Sequence, residues 1–204
     1  MQIEELHRRG HATIMIKIAH RINTIEQLKD IPGEYGIELD LRPDGEKIII
    51  HHEPFQNGEN FEEWLKYYHH SLIILNTKAE GMEESLIELM EKHQIENYFF
   101  LDLSLPYLIK YMKKGMSKIA VRFSEFEPLE FVMKFAGKIE WVWIDCFSDL
   151  PLNKENYGIL KNHFKLCLVS PELQGHDVSK ISDFKLQLKD MEIDAVCTKR
   201  PDLW

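Results

Sequence analysis

Residues 37–42 alternate strictly between apolar and polar side chains. This period of two predicts a β-strand with one apolar face and one polar face. Glu38 and Asp40 fall on the polar face, so their carboxylates point the same way, ~7 Å apart along the strand. Two carboxylates on one face of a strand are candidate ligands for a hard cation.

A turn and a second strand follow directly. Residues 43–45 read Pro-Asp-Gly, a strong turn signal. The apolar run Lys47–Ile50 predicts a strand that ends at His51, so the hairpin brings an imidazole near the two carboxylates. Oxygen ligands beside a titratable base are what metal-assisted hydrolysis requires.

The rest of the chain alternates between apolar strand-like runs and segments with helical spacing. Further strands are predicted at residues 13–19, 71–78, 98–104, 118–124, 141–147, 165–170 and 194–199. Helices are predicted at residues 22–28, 61–70, 82–95, 106–115, 128–135, 154–164 and 178–191, the last with Asp177 as its N-cap.

Strands that alternate with helices of ten or more residues predict right-handed crossovers and a parallel sheet. Eight such strands favour one α/β domain over residues 1–204, a small (β/α)8 TIM barrel of the phospholipase-C-like phosphodiesterase type that lacks a final helix after Trp204. An open doubly wound sheet is the alternative, but it would gather ligands only where its strand order reverses.

Nearly every predicted strand carries a polar residue at its carboxyl end, where barrel enzymes place their active sites. These residues are His20, Glu38, Asp40, Asn76, Lys78, Asp102, Ser104, Arg122, Ser124, Asp145, Ser170 and Thr198 or Lys199. We expect Arg122 and Asp145 to line a substrate pocket, with a structural role for Asp102. Glu172 follows the seventh strand and suits substrate hydroxyls better than phosphate.

Composition narrows the function further. The net charge of -9 argues against a duplex nucleic-acid binder, because such binding depends on Lys and Arg neutralising phosphates. No stretch approaches the roughly 20 apolar residues of a membrane span, and the N-terminal residues are too charged for a signal peptide. We therefore expect a cytoplasmic protein without stable membrane insertion, whose three cysteines are buried thiols.

Several short motifs together resemble the glycerophosphodiester phosphodiesterases and, more broadly, the phospholipase-C-like phosphodiesterase barrels. In that family an HR motif ends strand one, an ExD motif ends strand two, and an HD motif follows soon after. The final strand of the family typically runs DGIxTDRP, to which residues 194–202 are similar. The matching motifs here are His20-Arg21, Asn23-Thr24, Glu38-Leu39-Asp40 and Ile50-His51.

The resemblance implies a phosphoric diester hydrolase with defined residue roles. His20 and His51 would be the general acid and base, and Arg21 would bind the phosphate. Glu38 and Asp40 would bind a divalent cation, Mg²⁺ or Ca²⁺. One imidazole would deprotonate an attacking hydroxyl while the other protonates the leaving alkoxide. Lys78 matches a lysine that the family places at the end of strand three.

Three positions depart from the family pattern. Ile22 stands where the family has a glycine after HR, and His52 stands where it has the aspartate of HD. Asn76 stands where the family usually has a metal-binding glutamate. Asn76 can still ligate through its carbonyl but removes one negative charge. These changes predict a weakly held cation, with Asn76 as its third ligand, or a metal-free mechanism in which Lys78 or Arg122 supplies the positive charge.

We therefore expect cleavage of a small polar phosphodiester, linked to glycerol or a sugar. No apolar rim for membrane docking is evident around the predicted barrel mouth. Two alternatives stay open: a non-catalytic barrel that binds a phosphorylated sugar or glycan intermediate, and a metal-independent cyclising phosphodiester lyase. His7 and His11, in the polar lead, have no predicted role.

Overall fold

The computed structural model describes residues 14–204. The beginning of the first predicted strand, at Thr13, lies outside the described residues, as do His7 and His11. Within residues 14–204, no helix is long and apolar enough to cross a membrane.

Strands and helices alternate along the chain as the apolar pattern predicts. The strands are β1 (Ile16–Ala19), β2 (Gly36–Asp44), β3 (Lys47–Ile50), β4 (Glu59–Asn60), β5 (Leu72–Thr77), β6 (Tyr98–Leu101), β7 (Ala120–Phe123), β8 (Trp141–Ile144), β9 (Lys165–Val169) and β10 (Ala195–Thr198). The α-helices are α1 (Ile25–Lys29), α2 (Phe61–Leu65), α3 (Glu83–Lys92), α4 (Leu105–Lys113), α5 (Leu129–Val132), α6 (Lys154–Lys161) and α7 (Lys180–Gln187). Short 3₁₀ turns lie at Met133–Phe135, Pro171–Gln174 and Pro201–Leu203.

Eight of the strands run parallel in one curled sheet. β1 pairs with β10 on one side and β2 on the other, and β5 and β6 continue from β2. From β10 the sheet continues through β9 and β8 to β7. Its two ends meet at an isolated parallel bridge between Phe100 and Ile119. This curled α/β arrangement is consistent with a TIM-barrel fold.

The predicted hairpin is confirmed. β2 and β3 pair antiparallel, with Leu41 opposite Ile50 and Asp44 opposite Lys47. Gly45 takes a φ of +61° at the turn, a conformation that glycine adopts without steric cost. The sequence pattern did not predict the two-residue strand β4, which pairs with the outer edge of β3.

The two faces of β2 serve different layers, as its alternation predicts. Ile37, Leu39 and Leu41 pack outward with buried residues of the helices in the larger apolar cluster. Glu38 and Asp40 lie on the opposite face, which points into the curled sheet. The interior holds a second apolar cluster with members from the other strands, in which Phe99 stacks on Trp141 at 4.6 Å between ring centroids.

Several helices are shorter than predicted. α2 ends at Leu65, so the helix predicted to residue 70 is half as long as expected. α7 runs only from Lys180 to Gln187, and Asp177 instead caps the preceding turn by accepting a hydrogen bond from the Ser179 N–H at 2.9 Å. α1 begins at Ile25 rather than at residue 22, and its N-cap is Thr24, whose hydroxyl accepts from the Gln27 N–H.

Candidate active site

A polar cavity of about 220 Å³ opens at the carboxyl ends of the parallel strands. This is the end of the sheet at which the polar strand ends predict a site. The cavity is lined by seven of the ten predicted site residues: His20, Arg21, Glu38, Asn76, Lys78, Arg122 and Asp145.

Two buried carboxylates and one amide lie together here: Glu38 and Asn76 line the cavity, and Asp40 lies next to them but does not line it. Glu38 and Asp40 are 1% and 0% exposed. Asn76, on the neighbouring strand β5, donates from Nδ2 to Glu38 Oε1 at 2.8 Å and to Asp40 Oδ1 at 3.4 Å. Asp40 and Asn76 are register partners of the β2–β5 ladder, which explains why the amide spans both carboxylates.

Cationic and polar groups surround the carboxylates. Lys78 Nζ lies 3.3 Å from Asp40 Oδ1 and 3.2 Å from Asp102 Oδ2. Arg21 adopts a φ of +56°, and in this conformation its backbone N–H donates to Glu38 Oε2 at 2.8 Å. A left-handed conformation at a non-glycine residue is costly and is often found at functional sites.

Burial shifts the pKa values of His20 and Glu38 in opposite directions. Their side chains approach to 3.7 Å between Nε2 and Oε2. Burial, together with the charge of Arg21, lowers the pKa of His20 to about 4. Burial and the neighbouring charge of Asp40 raise the pKa of Glu38 to about 7. At neutral pH His20 is therefore an uncharged imidazole, and Glu38 is close to its titration midpoint.

His51 occupies the end of β3, and its backbone N–H donates to the Asp40 carbonyl at 3.0 Å. Its ring is half-buried, and Nδ1 lies 3.0 Å from both the N–H and the carbonyl oxygen of Glu53. The backbone of Glu53 therefore fixes the orientation of the ring. His51 is not among the residues that line the polar cavity. The side chain of His52 pairs with the Glu53 carboxylate at 2.6 Å.

Arg122 joins two acidic residues in the cavity wall. Its Nε donates to Asp102 Oδ1 at 2.9 Å, and its guanidinium also pairs with Asp145. Burial alone would lower the pKa of Arg122, but the charges of Asp102 and Asp145 outweigh burial and raise it, so the guanidinium stays charged. Trp143 Nε1 donates to Asp145 Oδ1 at 3.2 Å and forms part of the same wall.

Glu172 lies behind the cavity wall and joins the ends of β9 and β10. Its Oε1 accepts from the Thr198 hydroxyl at 2.6 Å and from the Lys199 N–H at 2.9 Å. Its other carboxylate oxygen accepts from the Ser170 hydroxyl. The carboxylate thus fixes the loop that carries Lys199.

Two further residues complete the polar wall. Lys199 lines the cavity, and among residues 14–204 it has no ion-pair partner. Gln174 donates to Asp145 Oδ1 at 2.8 Å. The sequence pattern singles out Lys199 only as one of two polar ends of the last strand, and Gln174 follows no strand closely enough to be noticed.

The expectation that the mouth lacks an apolar rim is wrong. Leu105, Phe126 and Phe147 are 45%, 74% and 43% exposed. They follow β6, β7 and β8 within a few residues, and these strands end at the mouth. The rings of Phe126 and Phe147 are in contact, with 5.9 Å between centroids. Phe126 and Phe147 lie in connections and Leu105 is the first residue of α4, positions where periodicity does not predict exposure.

The carboxylates and the Asn76 amide can be tested as a cation site. Within the described range, no three His, Cys, Asp or Glu side chains form a metal-binding group. The buried Asn76 Oδ1 has no hydrogen-bond partner among the described residues. Amide O and N positions are interchangeable by rotation, and with the amide turned, two carboxylates and one carbonyl offer the oxygen ligands that Mg²⁺ and Ca²⁺ prefer. The donor set therefore fits a divalent cation, with one negative charge fewer than three carboxylates would supply.

Comparison with known proteins identifies the fold. No protein-family model matches the chain, and no curated protein does. A solved structure from Agrobacterium tumefaciens, of a protein assigned as a glycerophosphoryl diester phosphodiesterase, is similar with a TM-score of 0.69 and 16% identity, over 93% of this chain and 95% of that one. A glycerophosphodiester phosphodiesterase from the same organism has a TM-score of 0.67 and 11% identity, over 93% and 97%. A glycerophosphoryl diester phosphodiesterase from Parabacteroides distasonis has a TM-score of 0.66 and 13% identity, over 96% of this chain and 86% of that one. The predicted resemblance to this family is confirmed at the level of the fold.

Proposed function

We propose that this protein is a phosphodiesterase that cleaves a small phosphodiester by histidine acid–base catalysis, with a closed (β/α)8 barrel as its scaffold. The observation that carries the proposal is the pair of buried carboxylates, Glu38 and Asp40, spanned by the Asn76 amide, with Glu38 beside His20 in the wall of one polar cavity. The fold likeness to glycerophosphodiester phosphodiesterases supports this chemistry over a binding role.

Arg21 and Lys199 are the cations best able to bind the substrate phosphate. Lys78 is held between Asp40 and Asp102, and Arg122 is held between Asp102 and Asp145. The Arg21 side chain is 43% exposed, with its Nε 3.6 Å from Asp40, and Lys199 is exposed at the end of β10, the strand that pairs with β1. Lys78 and Arg122 also line the cavity, and from its wall they orient the phosphate oxygens. Both therefore remain proposed substrate-binding residues.

The two imidazoles divide the proton transfers. His20 is neutral at pH 7 because burial lowers its pKa, so its Nε2 accepts the proton of the attacking hydroxyl. Glu38 Oε2 at 3.7 Å stabilises the imidazolium that forms. His51 is the general acid and donates a proton to the leaving alkoxide. His51 does not line the cavity, so this role requires its loop to close over bound substrate.

Glu38, Asp40 and, through its carbonyl, Asn76 would hold a divalent cation. When bound, the cation supplies positive charge to a non-ester phosphate oxygen and relieves the repulsion between the two carboxylates. Because Asn76 is uncharged, we expect the cation to be held weakly.

A second candidate, the metal-independent cyclising lyase, is favoured by the contacts of Asn76 and Lys78. The Nδ2 of Asn76 donates to both carboxylates, and Lys78 Nζ lies 3.3 Å from Asp40. These side chains already neutralise part of the charge that a cation would otherwise balance. In this case a hydroxyl of the substrate attacks its own phosphorus, the alkoxide leaves, and a cyclic phosphate forms.

Asp145 and Glu172 are proposed to recognise hydroxyls of the substrate alcohol. A carboxylate offers about four acceptor positions. Asp145 accepts from Trp143, Gln174 and Arg122, and Glu172 also accepts three hydrogen bonds. Each carboxylate therefore retains one acceptor position for a substrate hydroxyl.

The test is turnover of a panel of glycerophosphodiesters and sugar phosphodiesters, first with EDTA and then with Mg²⁺ or Ca²⁺ restored. Release of an alcohol that depends on the restored cation supports the cation-assisted phosphodiesterase, and release in EDTA with a cyclic product supports the lyase. His20→Asn should abolish either activity, while His163→Asn, an exposed histidine at the end of α6, should not. Absence of turnover on the whole panel would contradict the proposal.

A further inference from the structure

A second cavity lies beside the polar one and is mainly apolar. Its volume is about 390 Å³, and its apolar wall is formed by Leu103, Leu105 and Leu108 on one side and Val121 and Phe131 on the other. We call it the β6–β7 cleft, because these residues belong to the two segments that begin with β6 and β7.

The cleft exists because β6 and β7 are scarcely paired. Every other neighbouring pair of parallel strands shares a ladder, whereas these two meet at the Phe100–Ile119 bridge near the middle of the sheet. Beyond the bridge, toward the carboxyl ends, no β6–β7 pairing occurs in residues 14–204. The cleft occupies this end of the seam.

Asp102 and Arg122 belong to the walls of both cavities. Their ion pair, 2.9 Å between Nε and Oδ1, is therefore the partition between the polar cavity and the β6–β7 cleft. Asp102 holds a left-handed φ of +65° at the end of β6. A left-handed conformation at a non-glycine residue is costly, and here it lies in the partition between the two cavities.

The sizes of the cavities indicate that one ligand uses both. Pockets for small ligands are typically about 300–1,000 Å³ and largely apolar with a few polar groups. The polar cavity is smaller than this at about 220 Å³ and contains almost exclusively charged and polar groups near its centre. A phosphate and a small alcohol would fill it, so a larger substituent must extend into an adjacent space.

We propose that the β6–β7 cleft is a subsite for an uncharged apolar group, alkyl or aryl, on one of the two alcohols of the phosphodiester. The substrate would then be amphiphilic, with its phosphate between Arg21 and Lys199 and its apolar part along Leu105 and Phe131. Leu105 lines the cleft and is 45% exposed, so it forms the outer edge of the subsite. This inference rests on the proposed function and replaces the expectation of a wholly polar substrate.

The experiment compares phosphodiesters that share a phosphoglycerol half and differ in the second alcohol: methanol, butanol or octanol. Burial of one methylene is worth roughly a fourfold change in an equilibrium constant. We expect kcat/KM to rise at least about tenfold from the methyl to the butyl ester. Leu105→Gln should reduce this preference, and Leu186→Gln, an exposed leucine on α7 outside the cleft, should not. Phe131→Ala widens the cleft and should move the preference toward longer chains.

Binding of methyl phosphate and octyl phosphate gives a readout that does not need catalysis. Octyl phosphate should bind more tightly, and Leu105→Gln should remove the difference. If the esters are all cleaved at the same rate, the apolar subsite is wrong and the phosphodiesterase proposal stands. If none is cleaved but octyl phosphate retains its advantage, the subsite stands without the activity. Equal binding of methyl phosphate and octyl phosphate would overturn the subsite. So would a protein that binds phosphatidylcholine vesicles but does not prefer octyl phosphate to methyl phosphate.

Discussion

The amide nitrogen of Asn76 lies 2.8 Å from Glu38 and 3.4 Å from Asp40. A carboxylate side chain at residue 76 would lie beside the same two groups. The amide donates hydrogen bonds to the carboxylates and so offsets part of their repulsion without contributing charge. It can also ligate a cation, but only through the oxygen that now has no partner within the described residues.

Asn76→Glu should therefore strengthen cation binding. A third carboxylate adds a charged oxygen ligand, and ligand charge is a main determinant of Ca²⁺ affinity. We expect at least about a tenfold lower Kd for Ca²⁺, equivalent to ~1.4 kcal/mol. Calorimetric titration measures the affinity. Asn76→Asp is the shorter acidic control and Asn76→Gln the uncharged one; an affinity unchanged in Asn76→Glu would show that residue 76 is not a ligand.

The contributions of His20 and Glu38 to the pH dependence of the free energy of unfolding should cancel each other. Folding lowers the pKa of His20 from 6.5 to about 4 and raises that of Glu38 from 4.5 to about 7. Between pH 4.5 and 6.5 the unfolded pair holds one proton, on the histidine, and the folded pair holds one proton, on the glutamate. Their joint contribution to the free energy of unfolding is therefore flat in this window.

Single substitutions should reveal slopes of opposite sign. In Glu38→Gln the remaining His20 favours the folded state above pH 6.5, and this stability is lost as the pH falls toward 4. In His20→Asn the remaining Glu38 favours the folded state below pH 4.5, and this stability is lost as the pH rises through 7. Each slope should approach ~1.4 kcal/mol per pH unit. Urea unfolding in EDTA measures it, and slopes of the same sign would contradict the assignment.

Lys78 and Lys199 should differ in what their loss affects. Lys78→Met leaves the buried Asp40 without its nearest cation and should cost roughly 3 kcal/mol of stability. Lys199→Met removes an exposed side chain without an ion pair in residues 14–204 and should change stability by less than about 0.5 kcal/mol, but should weaken phosphate binding. Thermal unfolding and KM for the best substrate separate the two effects. Equal destabilisation by both substitutions would be the contrary result.

His51→Ala should abolish turnover and leave the fold intact, since its half-buried ring hydrogen-bonds only to the backbone of the nearby Glu53. Circular dichroism and the urea midpoint should match those of the unmodified protein. His69→Ala, at an exposed histidine on the loop after α2, is the matched control. Full activity of His51→Ala would remove His51 from the mechanism and leave His20 as the single imidazole.

The sequence predicts the centre of the site well because that centre depends on local geometry. Glu38 and Asp40 share a face by strand alternation alone, and Asn76 joins them because β5 continues the sheet beside β2. Only the parallel order of successive strands is needed for this contact. For the rest of the chain, the family resemblance predicts the same order of parallel strands.

Other features depend on distant contacts or loops, which the pattern does not report. His51 turns toward Glu53 because of the loop conformation after β3. Helix α2 stops at Leu65 although apolar residues with helical spacing continue to Tyr68, whose ring stacks on Trp64. Leu105 and Phe126 closely follow predicted strands, and Phe147 is the last residue of one. Their position near the mouth could be predicted, but their exposure depends on how the chain turns after each strand.

The isolated Phe100–Ile119 bridge makes the contact between β6 and β7 the weakest pairing of neighbouring parallel strands within residues 14–204. The hydrogen bonds of a ladder resist strand separation together, whereas an isolated bridge resists it alone. Partial denaturation should therefore begin between β6 and β7, within the wall that Asp102 and Arg122 form. Increasing urea should abolish activity before it reduces the helical circular dichroism signal, because these two strands border the active site and separate first.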